Sequence, residues 1–222
     1  HKLQIEGGGA MYEIAVMGAA VLLSVAILDY VRRAWTRKTD PVLATWILLA
    51  VVLGLSLWMY RASSSWSWTA NISLIVGAAG VIVVLGGVIA AQIRYGTLRV
   101  SFDRTQKICL AGGALIIVFW AMTKQPLQAY ILVQCIAIIG YSATIRRLLK
   151  AKANTEPLFF WVVAISSDIC AIYPAWVTGD IFAWIFLGRA FSCSILVIFL
   201  ILRLKWRTRR IEGVVISSSP TS

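Results

Sequence analysis

The stretch Arg32-Arg33-Ala34-Trp35-Thr36-Arg37-Lys38-Thr39-Asp40-Pro41 is a basic island between two long apolar runs, 11–31 before it and 42–61 after it. A run of about 20 apolar residues is long enough to cross the hydrocarbon of a bilayer as a helix. Five more such runs follow, over 71–93, 107–123, 127–148, 158–177 and 181–204. Backbone N–H and C=O groups find no water in lipid, so each run predicts a helix. The expected fold class is an all-α integral membrane protein of seven transmembrane helices.

Composition agrees. The chain is 60% hydrophobic and 14% charged, with mean hydropathy +0.84. A soluble domain carries about a quarter charged residues, so too few are present to cover a water-facing surface. The net charge of +12 does not call for nucleic acid as a partner, because the basic residues collect in the loops on one side of the helices. Residues 1–10, ending in a Gly-Gly-Gly-Ala run before Met11, read as an expression remnant and include the sole histidine. Cys109, Cys135, Cys170 and Cys193 stand singly in different runs, without CxxC spacing or a histidine partner. They predict packed core thiols and no zinc site.

The basic island has counterparts in Arg94, Arg99, Arg104 and Lys107, in Arg146, Arg147, Lys150 and Lys152, and in the tail from Arg203 to Arg210. The opposite loops hold only Arg61 and Lys124. By the excess of positive charge in cytoplasmic loops, the N-terminus lies outside and the C-terminus in the cytoplasm. Trp58, Tyr60, Trp66 and Trp68 mark the outer interface, and Trp35, Tyr95 and Trp206 the inner one. Anionic lipids are the expected neighbours of the cytoplasmic face.

The first basic island also has an echo. Arg32-Arg33, Asp40-Pro41 and Trp46 recur in the same order as Arg146-Arg147, Glu156-Pro157 and Trp161, with a gap of one or two residues. Paired arginines suit the C-terminal dipole of a helix at the lipid phosphates, and an acid-proline step suits the start of the next helix. The division that follows is 11–93 as one three-helix repeat, 94–125 as a cytoplasmic loop and linker helix, 126–205 as a second repeat parallel to the first, and 206–222 as a basic and then flexible cytoplasmic tail. Such 3+1+3 parallel repeats are a transporter architecture with the solute path between the units.

With this plan and the segment Gly140-Tyr141-Ser142-Ala143-Thr144-Ile145-Arg146-Arg147, the chain resembles the PQ-loop superfamily, which includes SWEET sugar transporters, cystinosin-like transporters and the KDEL receptor. The resemblance implies alternating access about a proline hinge before the basic residues. Ala143 stands in place of that proline, and Leu28-Asp29-Tyr30-Val31 in the first repeat also lacks it.

Ionisable groups deep in a membrane flag function. Asp168 lies roughly 16 Å from the inner boundary and Arg189 roughly 12 Å from the outer one, so antiparallel neighbours could pair them. Trp161, Tyr173, Ser192, Gln134 and Trp120 are the further candidates for a solute site. Asp29 and Asp168 are candidates for ion coupling, although Asp29 sits near Arg32 and Arg33 and suits a local interfacial pair. Glycines 77, 80, 86 and 87 allow close packing of the third helix. Asn71-Ile72-Ser73 fits a glycosylation sequon close to the membrane.

A rhodopsin-like receptor is disfavoured because the Asp103-Arg104 match is a lone dipeptide, and a retinal protein because the last helix offers only Lys205, at its cytoplasmic end. A membrane enzyme is disfavoured because no histidine outside the first ten residues and no nucleophile–base pair is evident. The function expected is transport of a small polar solute, without a cofactor, in the inner (plasma) membrane of a bacterium. The alternative is a non-transporting receptor, sensor or scaffold on the same fold, which the missing prolines favour. The oligomeric state is open, a homo-oligomer included.

Overall fold

Helix α1 spans Lys2–Trp35, α2 Leu43–Arg61, α3 Ile72–Arg94, α4 Arg104–Thr123, α5 Pro126–Lys150, α6 Leu158–Thr178 and α7 Ile181–Ser217. These elements come from a computed structural model that describes residues 2–39, 41–151 and 157–217, with side chains over 9–39, 41–142, 144–151 and 157–207. Among the described residues there is no strand. All seven helices are long and apolar enough to cross a membrane, the first from Gly9 and the last to Arg207. Large apolar side chains point outward from the bundle, Leu115 70% and Met122 80% exposed, a surface that lipid tolerates and water does not. The chain is an integral membrane protein.

The helix ends follow local chemistry. Asp103, noted in the sequence for its Asp-Arg pairing, caps α4: its Oδ1 accepts from Gln106 N at 2.7 Å, and Gln106 Oε1 accepts from Asp103 N at 3.0 Å. That box starts α4 at Arg104, three residues before the apolar run suggested. Pro126 opens α5, where its missing N–H has no helical partner to lose. Gly179, with φ of 63°, ends α6 in the left-handed region, and Asp180 then caps α7 by accepting from Phe182 N at 2.9 Å. Helix α7 runs to Ser217, into the stretch 206–222 read as a basic and then flexible tail. Asp40 and Glu156, the acids of the two acid-proline steps, lie outside the described residues.

Six helices close a ring in the spatial order α1, α3, α2, α5, α7, α6, and α4 packs outside it against α5 and α2. Small residues let the backbones approach. A Cβ on Gly80 would stand 2.0 Å from Ile27 Cδ1, and one on Gly87 would stand 2.7 Å from Val31 Cγ1. Gly80 and Gly87 therefore seat α3 on α1, whereas Gly77 and Gly86 face open space. Of the four cysteines, which are all free, Cys109 and Cys193 are buried, but Cys135 is exposed on the outer face of α5, contrary to the expectation of four core thiols.

The two ends of the bundle differ. At one end, Tyr95 donates to Trp35 O at 2.8 Å, Arg37 lies 3.9 Å from the Tyr95 ring centroid, and Gln92 donates to Pro41 O at 3.1 Å. This is the end rich in arginine and lysine. At the other end tryptophans cluster: Trp66 against Trp68 at 5.1 Å and Trp58 against Trp120 at 5.5 Å. Asn71 is buried there, 2% exposed, so the sequon it opens is closed to glycosylation as folded.

Candidate functional site

A cavity of about 170 Å³ occupies the centre of the ring. It is lined by α1, α2 and α3 on one side and by α5, α6 and α7 on the other, and α4 contributes nothing to it. The volume is close to that of engineered cavities of about 150 Å³ that hold benzene, so it suits a small solute.

The cavity reaches the basic end of the bundle at Val42, Thr45, Arg147 and Phe160. Aromatic rings line that part. Tyr30 meets Trp46 at 4.7 Å and Phe160 at 5.2 Å, and Phe160 meets Trp161 at 5.3 Å. The polar groups lie deeper: Asp168 at the middle of α6 and Arg189 and Ser194 along α7 converge with Ser73, in the first turn of α3. Asp168 is the central residue of α6, 6% exposed, and sits beside the Ser73 hydroxyl in the field of Arg189.

Asp168 and Arg189 share the cavity without forming an ion pair. Among the described residues the ion pair within 4.0 Å is Arg33–Asp29. Arg189 is held by Gln134 instead: its Nε donates to Gln134 Oε1 at 3.0 Å, and Gln134 Nε2 donates to Ser56 Oγ at 2.8 Å. The guanidinium lies 4.6 Å from the Phe186 ring and 6.0 Å from the Tyr141 ring. Its Nη2 is buried and has no hydrogen-bond partner. The depth of both charges follows from run lengths, whereas the amide that diverts the arginine comes from a helix distant in sequence.

The remaining candidates divide. Trp161 lines the cavity, and its indole Nε1 is buried without a partner. Gln134 stands behind Arg189 and does not line the space. Ser192 is exposed on the far face of α7 and bonds Gly188 O at 2.8 Å; the serine that faces the cavity is Ser194, two residues on and so about 200° around the helix. Trp120 sits on the outer helix α4, edge-on to Trp58 and with Lys124 Nζ 5.1 Å from its ring centroid. Tyr173 lies on a face of α6 that does not line the cavity. Asp29 is engaged by Arg33 Nε at 2.6 Å one turn along α1, outside the cavity, because a short local pair at the interface is easier to form than a reach inward.

The tryptophan-rich end is closed. Met59, Tyr60 and Tyr130 are fully buried there, with Phe182 among them. Tyr60 donates its hydroxyl proton to Asp180 Oδ2 at 2.5 Å and accepts from Ser67 N at 3.1 Å. Tyr130 donates to Phe182 O at 3.2 Å. These bonds tie α2 and the loop after it to the start of α7, and α7 to α5. Sequence reading missed this plug because Gly179-Asp180 reads as an ordinary helix stop and cap, and Tyr60 as an interface marker. A tyrosine hydroxyl's partner at 120 residues' separation leaves no local trace. No family model, curated protein or solved structure matches the chain.

Proposed function

We propose that this protein is a membrane transporter that moves a small polar solute by alternating access between two three-helix repeats, 11–93 and 126–205, with α4 as the linker. The observation that carries the reading is the one-sided cavity: it reaches one end of the bundle, stops at buried charges at mid-height, and is closed at the other end by side-chain contacts between helices of both units. A solute path needs a central site and a plug that can open.

The repeat is supported by the ring. Renaming α1, α2, α3 as α5, α6, α7 maps its contacts onto themselves: α1–α3 becomes α5–α7, α2–α3 becomes α6–α7, and α2–α5 becomes α6–α1. Trp46 and Trp161, matched in the two basic loops, both line the cavity, each with an edge-on tyrosine, Tyr30 or Tyr141, from the preceding helix. The basic end is taken as cytoplasmic, which makes this conformation inward-facing. Purified protein in proteoliposomes should catalyse uptake of a small polar solute from a panel of sugars, amino acids and nucleosides, above protein-free vesicles. Saturable binding without flux for every solute that binds would replace transporter by receptor.

A further inference from the structure

The polar groups around the cavity carry a chemical signature. One is a fixed cation, one a carboxylate, and neither is neutralised by the other within 4.0 Å. Arg189 is 8% exposed, Asp168 6% and Ser73 2%. Arg189 Nη2 is buried without a hydrogen-bond partner, and the buried Ser73 hydroxyl lies against the Asp168 carboxylate. Both charges lie where lipid surrounds the bundle, and an isolated charge at that depth costs about 3 kcal/mol even on insertion scales. A flexible arginine and an aspartate lining one small space would close into an ion pair if nothing held them apart. Gln134 and the flanking rings of Phe186 and Tyr141 hold the guanidinium on the α5–α7 side. The gap is therefore built into the site.

Resting on the reading of this cavity as a solute site, we infer that its solute is a zwitterion of the α-amino-acid type with a neutral side chain, its carboxylate on Arg189 and its ammonium on Asp168 and Ser73. A net anion would meet the Asp168 carboxylate, and a net cation the Arg189 guanidinium. A neutral polyol would leave both buried charges without counter-charges. A zwitterion satisfies both and adds no net charge to a low-dielectric space. Toward the basic end, Tyr30, Trp46, Phe160 and Trp161 leave an apolar, aromatic compartment for the side chain.

The test is binding to the purified full-length protein, by calorimetry or thermal shift, with L-leucine, N-acetyl-L-leucine, L-leucinamide and glucose. L-leucine should bind, and deleting either of its charges should weaken binding at least about tenfold, the loss expected for one hydrogen bond to a charged group. Asp168→Asn should weaken L-leucine but spare N-acetyl-L-leucine, a selectivity that a merely structural role would not produce. Should that variant fail to fold, the analogue series on the unaltered protein decides alone. N-acetyl-L-leucine or L-leucinamide binding as well as L-leucine, or no binding of L-leucine at saturation, overturns the inference. Leucine binding without flux leaves the inference standing and removes the transporter reading. Glucose flux that L-leucine does not compete does the reverse.

Discussion

Gln134 shows how one neutral side chain can set the character of a site. Ser56 spends its hydroxyl proton on Val52 O at 2.8 Å, so it can only accept from Gln134 Nε2. That fixes the amide orientation and turns Oε1 toward Arg189. Gln134→Leu should strand a buried guanidinium N–H and cost about 1–3 kcal/mol, seen as a fall in melting temperature. Gln134→Glu should do the opposite, because a carboxylate at the same place pairs with Arg189, yet it should weaken any carboxylate-bearing ligand. Equal melting temperatures for the two variants would show that Gln134 does not hold the arginine. The depth of Asp168 and Arg189 was legible in the sequence from run lengths alone, because helix rise converts residue number to height. Azimuth was not. Ser192 and Ser194 are equally polar and nearly equally deep, and only the packing of α7 decides which one faces inward.

Element-scale features were read with mixed success for the same kind of reason. Run length located α2 to α6 to within three residues, but α1 begins nine residues before its run and α7 ends thirteen after its run. Run length missed the ends set by local bonds, such as the Asp103–Gln106 box that advances α4. The plug at the tryptophan-rich end belongs to this scale, because it ties the end of α2 to the start of α7. Tyr60 is fully buried, and its hydroxyl serves Asp180 and the backbone of the α2–α3 loop together. Tyr60→Phe removes those bonds and keeps the ring contacts with Trp66 and Phe182. It should loosen the plug without emptying the core. Ala129 is a fully buried neighbour on α5. With Ala129→Cys as a reporter, a maleimide applied from the tryptophan-rich side should label position 129 faster when Tyr60→Phe is present, read by peptide mass to separate it from Cys135. An unchanged labelling rate would mean that the aromatic packing, not the hydroxyl, closes this end.

At the scale of the whole molecule, the separation of charge between the two ends is the property that sets sidedness. The loops 36–42 and 95–103 meet at one end through Tyr95, Trp35 and Arg37, and the described arginines and lysines concentrate there. The loop 62–71 meets the N-terminal part of α1 at the other end, where Tyr12 donates to Thr69 Oγ1 at 2.7 Å. Seven crossings carry the chain from one side to the other, so fixing the side of one loop fixes all of them. Moving lysine or arginine across a bilayer core is costly, and retention of such loops on the cytoplasmic side predicts the tryptophan-rich end outside. Ser64 is exposed in the loop 62–71 and Thr97 in the loop 95–103. In intact cells a membrane-impermeant maleimide should label Ser64→Cys at once and Thr97→Cys only after permeabilisation, each mapped by mass against the native cysteines. The inverse pattern would turn the cavity's mouth to the outside and make this conformation outward-facing, with the plug formed by Tyr60 and Asp180 on the cytoplasmic side. Labelling of both in intact cells would mean that the loops do not alternate and that the seven-crossing topology is wrong.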